Sequence, residues 1–104
     1  MASTVGLYIQ AYPDITEALN GCVGAIGLIL TEAELSPQFF DLRTGVAGEL
    51  FQKFTNYRLP IAIVLADHKA YGQRFSQLVR EHRGHNLIRF FYSLATAQAW
   101  LARF

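Results

Sequence analysis

Apolar residues along this chain fall into two kinds of run, and each predicts a different element. Ala25 to Leu30 (AIGLIL) and Leu59 to Ala66 (LPIAIVLA) are continuous apolar stretches. Strands read that way when both faces are covered, as in a parallel sheet. Val5 to Gln10 and Leu87 to Tyr92 are β-prone and bounded by turn residues, and they predict a first and a last strand. Between these runs the spacing becomes helical. Val46, Leu50 and Phe54 form one row with Ala47 and Phe51 beside it, which predicts a helix from about Arg43 to Asn56. Glu49 and Lys53 would pair across one turn, and Asn56 would stop the helix.

Three further helices follow from similar signals. Asp14 and Glu17 have capping-box spacing, Ile15, Ala18 and Leu19 would face inward, and Asn20-Gly21 would end the helix. Tyr71, Phe75, Leu78, Val79 and His82 mark one face of another, closed by Gly84. Ser93 caps a last helix, with Leu94, Ala97, Trp100, Leu101 and Phe104 as its inward face. The order βαβαβαβα predicts one α/β domain over residues 1–104. Its mostly parallel, single-layer, four-stranded sheet is flanked by helices through right-handed crossovers.

Composition narrows the function classes. A chain of 104 residues holds one core, and 52% hydrophobic residues make self-association or a partner groove plausible. The net charge of +1 does not suit a nucleic-acid binder. Charge is uneven, though. Residues 1–66 carry three basic against six acidic groups, or −3, and residues 67–104 carry six against two, or +4. A weak nucleic-acid or acidic-partner surface through Lys69, Arg74, Arg80 and Arg83 is the furthest this supports. Cys22 is the only cysteine, which excludes an intrachain disulfide and fits a reducing, cytoplasmic setting. No signal peptide or membrane span is expected. Gly21, Gly24 and Gly27 lack dinucleotide-turn spacing, and Gly24 and Gly27 read as close packing or a bulge. His68, His82 and His85 with Asp67 lack a metal-ligand spacing, so neither a metal nor another cofactor is expected.

The run FFDLRTGVAGELFQKFTNYRLPIAIV resembles the signature of a bacterial family of uncharacterised proteins, domain of unknown function 4180. The match is dense from Leu35 to Val64. That family is similar in layout to STAS domains, the fold of anti-sigma-factor antagonists. The resemblance implies a STAS-like fold and a role in protein recognition. It also implies a phosphoacceptor in the turn before the helix, where Thr44 stands nearest, although Arg43 and the spacing from Asp41 depart from the pattern.

Phe39 to Gly45 (FFDLRTG) is the stretch that packing explains least. A helix mouth favours anions, and Arg43 adds a planar fork for carboxylate or phosphate. An internal Asp41–Arg43 pair ordering the turn is the alternative. One of Phe39 and Phe40 is expected inside and the other at a groove or interface. Gly45 and Gly48 each cost about 1 kcal/mol inside a helix, which close helix–sheet packing would offset. Arg58 follows the helix stop without an evident packing role. Asp67 and His68 sit at the carboxyl end of a strand, where α/β folds place functional groups. The candidate binding residues are therefore Phe39, Phe40, Asp41, Arg43, Thr44, Arg58, Asp67 and His68, with no catalytic residue assigned. The leading reading is a small regulatory or protein-interaction module, switched by phosphate at Thr44. A small-molecule binder or small enzyme using Asp41, Arg43, Asp67 and His68 is the second. The partner protein is unspecified, and a homodimer or a small anionic ligand is compatible.

Overall fold

The computed structural model describes residues 2–3, 9–10, 12–21 and 27–104. Its elements in chain order are β1 (Ala2–Ser3), α1 (Tyr12–Gly21), β2 (Gly27–Thr31), α2 (Pro37–Phe40), α3 (Val46–Asn56), β3 (Ile61–Val64), α4 (Gln73–Glu81), β4 (Ile88–Phe91) and α5 (Leu94–Leu101). Single 3₁₀ turns occupy Glu32–Glu34, Leu42–Thr44 and His68–Tyr71. β2, β3 and β4 form a parallel sheet, and the two residues of β1 pair in parallel with Gly27 and Leu28 at its edge. Four full strands were expected, and three are present among the described residues. The first expected strand falls mainly on residues outside them, as do Cys22 and Gly24. Of that strand, Ile9 forms a parallel bridge to Leu35.

The strands lie side by side in the order of the sequence. Each right-handed crossover therefore passes over the same face. Leu28 and Leu30, Ile61 and Ile63, and Ile88 point to that face and share one buried cluster with residues of α1, α2, α3 and α4. The alternate residues Ile29 and Ala62, with Val64 and Phe91, point the other way and pack against Ala97, Trp100 and Leu101 of α5. Both faces of β2 and β3 are thus apolar, which is why their sequences run without alternation.

Local chemistry explains the boundaries. The α3 row is buried as its periodicity predicts, with Val46, Ala47, Leu50, Phe51 and Phe54 all inside. Ser93 caps α5 by accepting the Thr96 N–H. Three expectations are corrected. Leu94 and Phe104 are 46% and 51% exposed, because α5 ends at Leu101 and one narrow stripe covers its share of the sheet. Glu49 and Lys53 form no ion pair among the described residues, where Arg43–Asp41 is the one pair made. Gly48 is exposed, with nothing beyond its neighbours and the backbone of α3 within 4 Å of where a Cβ would stand, so close packing does not account for it. Gly27 is the glycine that packs closely: a Cβ there would lie 2.5 Å from the Pro60 carbonyl oxygen and 3.0 Å from Leu101 Cδ2.

Candidate functional site

The crossover from β2 to α3 leaves the carboxyl end of the sheet as a folded turn, and the β3–α4 connection leaves beside it. Between them lies an open groove of about 850 Å³. Pro37, Phe40, Asp41 and Arg43 form one wall, and Tyr71, Gln73, Arg74 and Phe75 the other. Crevices outside the carboxyl ends of strands are where α/β sheets bind ligands.

The first wall is built by its own hydrogen bonds. Pro37 opens α2 at a position that needs no donor. The helix lasts one turn and gives way at Asp41, whose carboxylate accepts the Arg43 N–H at 3.1 Å. Arg43 then folds back on the same carboxylate, Nε to Oδ1 and Nη2 to Oδ2, both 3.0 Å. This fork holds the Asp41 carboxyl below the usual range and raises the guanidinium. The side chain of Arg43 is 82% exposed, so the pair orders the turn and contributes little to stability. Thr44 Oγ1 donates to the carbonyls of Gln38 (2.7 Å) and Asp41 (2.8 Å) and accepts the Val46 N–H (3.3 Å). Gly45 has φ of 77°, a left-handed conformation that suits glycine and turns the chain into α3. It lies outside the helix, so the helix-interior cost expected for it does not arise.

The two phenylalanines divide their work. Phe39 is buried in the core against Phe51 and Phe75. Phe40 is half-buried on the groove wall and stacks on Tyr71, with ring centroids 3.7 Å apart and planes 6° from parallel. Glu32, the first residue after β2, ties the two walls together. Its Oε1 accepts the Ala66 N–H at 2.9 Å and its Oε2 accepts the Tyr71 hydroxyl. The Ala66 N–H and then the Tyr71 hydroxyl hold the Glu32 carboxyl below its ordinary value. Burial, followed by the Glu32 carboxylate, pushes the Tyr71 phenol up to about 12. The phenol therefore stays protonated and acts as a donor.

The remaining candidates lie elsewhere. Asp67 is exposed and caps the 3₁₀ turn by accepting the Lys69 N–H at 2.9 Å. His68 is 7% exposed, with Nδ1 3.0 Å from Ser76 Oγ, and it lines a separate smaller cavity. Neither lines the groove, so the quartet Asp41, Arg43, Asp67 and His68 is not assembled. Arg58 closes α3. Its N–H donates to Thr55, the Leu59 N–H donates to Phe54, and its own φ is 56°. This is a Schellman end with arginine at the position glycine usually takes. α3 thus ends at Asn56 as expected, and Arg58 is the residue that turns the chain away from it.

Glu32 and Tyr71 were not among the candidates, and Arg74 was named only for a basic surface. The available signal was position: Glu32 directly follows an apolar strand, and Tyr71 precedes a glycine that opens a helix. No group of three or more metal-ligating side chains occurs among the described residues. No helix among them is long and apolar enough to cross a membrane. Neither a curated protein nor a solved structure matches the chain. Residues 5–101 match the family model described as Domain of unknown function (DUF4180), and the chain belongs to that family.

Proposed function

We propose that this chain is a small cytoplasmic recognition module of STAS-like layout, regulatory rather than catalytic. Its groove between Pro37–Arg43 and Ala70–Phe75 takes a short segment of a partner protein. The observation that carries this reading is the stacked Phe40–Tyr71 pair on the wall of an open groove of about 850 Å³. Aromatic anchors inside a polar rim are the anatomy of protein-binding surfaces. The rim supplies that polarity: Asp41 and Arg43 neutralise each other, whereas Arg74 forms no ion pair among the described residues. Arg74 is the cation left to meet a carboxylate on the bound segment.

Panning a random-peptide display library on the protein, with counter-selection on Phe40→Ala, tests this. The expected result is a set of peptides whose binding is lost in Phe40→Ala and in Arg74→Glu while both variants melt cooperatively. Peptides that bind all three proteins equally would refute it.

The hydrogen bonds of Thr44 favour a switch at the same groove. Phosphate on Oγ1 would remove the donor that serves the Gln38 and Asp41 carbonyls, and its charge would repel both. It would also compete with Asp41 for the Arg43 fork. The wall that presents Phe40 would loosen, and groove binding would fall. Thr44→Glu imitates the charge. Unchanged peptide affinity in that variant and in the phosphorylated protein would remove the switch.

A further inference from the structure

The outer edge of β4 is used neither by the core nor by the groove. Backbone groups alternate sides along a strand, and the ladder to β3 fixes which ones point outward. The Ile61 N–H donates to the Leu87 carbonyl at 2.7 Å and the Leu65 N–H to the Phe91 carbonyl at 2.9 Å. Leu87, Arg89 and Phe91 therefore turn their backbone groups to β3, and Ile88, Phe90 and Tyr92 turn theirs away. The Ile88 N–H is taken by His85 Nδ1 at 3.0 Å. Among the described residues the N–H and C=O of Phe90 and the N–H of Tyr92 take no partner and are left for another strand. Among the described residues β3 is the one strand paired with β4, α5 packs on one face of it and Phe51 and Phe75 meet Phe90 on the other, so no strand takes this edge.

A cavity of about 230 Å³ runs along the same edge. Phe90 lines it from one sheet face and Arg89 and Phe91 from the other, so it wraps the edge. His68, His82, Arg83 and Tyr92 complete its polar lining, and no carboxylate takes part. His82 Nδ1 donates to the Leu78 carbonyl at 2.8 Å, and His68 Nδ1 is held by Ser76. The Nε2 atoms of both rings have no hydrogen-bond partner among the described residues.

We infer that this edge takes an extended acidic segment of a partner protein as an added strand. Main-chain bonds form to Phe90 and Tyr92, and an acidic side chain meets Arg83 at the cavity. The backbone phase calls for a strand, and the acid-free lining gives that strand its charge. A second copy of the chain fits less well. Antiparallel self-pairing about Phe90 would bring Arg83 and Arg89 of one copy toward those of the other.

The test is an NMR titration of the full ¹⁵N-labelled chain at low salt. Three capped hexapeptides serve as probes: alternating Val and Glu, alternating Val and Lys, and the Val–Glu peptide N-methylated throughout. The Val–Glu peptide should give saturable shifts at the Phe90 and Tyr92 amides. N-methylation of the peptide, or Arg83→Ala in the protein, should weaken binding about tenfold, the size of one charge-assisted or main-chain bond. Absence of saturable shifts, or equal binding of the Lys or N-methylated peptide, would overturn the inference. Shifts at these amides that depend on protein concentration alone would overturn it too, by giving the edge to a second copy.

Discussion

Replacing Gly27 and Gly48 by alanine, one at a time, should move stability in opposite directions. Gly27 lies where β2 meets the start of β3. An added Cβ would stand 2.5 Å from the Pro60 carbonyl oxygen, 3.1 Å from Pro60 Cγ and 3.0 Å from Leu101 Cδ2. The Pro60 carbonyl cannot step aside freely, because it accepts the Leu28 N–H at 2.9 Å. Overpacking of this kind costs about 1–3 kcal/mol, and straining one backbone bond adds about 1 kcal/mol. Alanine also restricts the unfolded chain, which returns about 0.4–1 kcal/mol. A net loss of about 2 kcal/mol is expected, which for a domain of this size lowers Tm by roughly 8–16 °C. At Gly48 no atom beyond the adjoining residues and the backbone of α3 lies within 4 Å of the new methyl, and the site is in the first turn of α3. Relief of the helix cost of glycine should raise stability by about 0.5–1 kcal/mol. Urea titrations followed by circular dichroism read both, with unchanged m-values showing that the native and unfolded states stay comparable. If Gly27→Ala left the midpoint unchanged, or if both variants shifted it the same way, the packing account of this edge of the sheet would fail.

Three further predictions use other sites. Arg58→Gly should raise stability by about 1 kcal/mol by relieving a left-handed non-glycine residue, read as a higher denaturation midpoint. His85 accepts the N–H groups of Leu87 and Ile88 at Nδ1, and burial, then His82 and Arg89, lower its pKa. The folded state thus binds fewer protons there, so its contribution is complete above the unfolded value of about 6.5 and is lost as pH falls through the lower folded value; His85→Ala should flatten that part of the stability–pH curve. Tyr71→Phe should move the Glu32 carboxyl up toward its ordinary value, as read by carboxyl NMR, with the Ala66 N–H retaining part of the depression; no upward movement would show that the hydroxyl does not serve Glu32.

The chain disclosed its elements better than its site. The α3 row and the uninterrupted strands β2 and β3 were legible because burial on one stripe or on both faces dictates every residue. The helical face read as starting at Tyr71 misled, since Gly72 breaks it and leaves Tyr71 in a 3₁₀ turn at the groove. The Phe39–Thr44 turn stood out through its mixture of residue types, and the structure gives it one groove wall. The opposite wall was not legible. Tyr71 and Arg74 lie some thirty residues downstream, and only the side-by-side placement of β2 and β3 brings them opposite Phe40. Arg58 looked functional because it followed the helix stop without an evident packing role; its left-handed backbone at the end of α3 is what places it.

The one-sided arrangement of the crossovers has a consequence for how the protein is made. α1, α3 and α4 each dock as their own βα unit is completed, so the first face of the sheet is covered progressively while the ribosome works. The second face has no such escort. Ile29, Ala62, Val64 and Phe91 await Ala97, Trp100 and Leu101 of α5, which is synthesised after all three strands. A nascent chain stopped before α5 would display an apolar sheet face to every neighbour, a natural substrate for a chaperone.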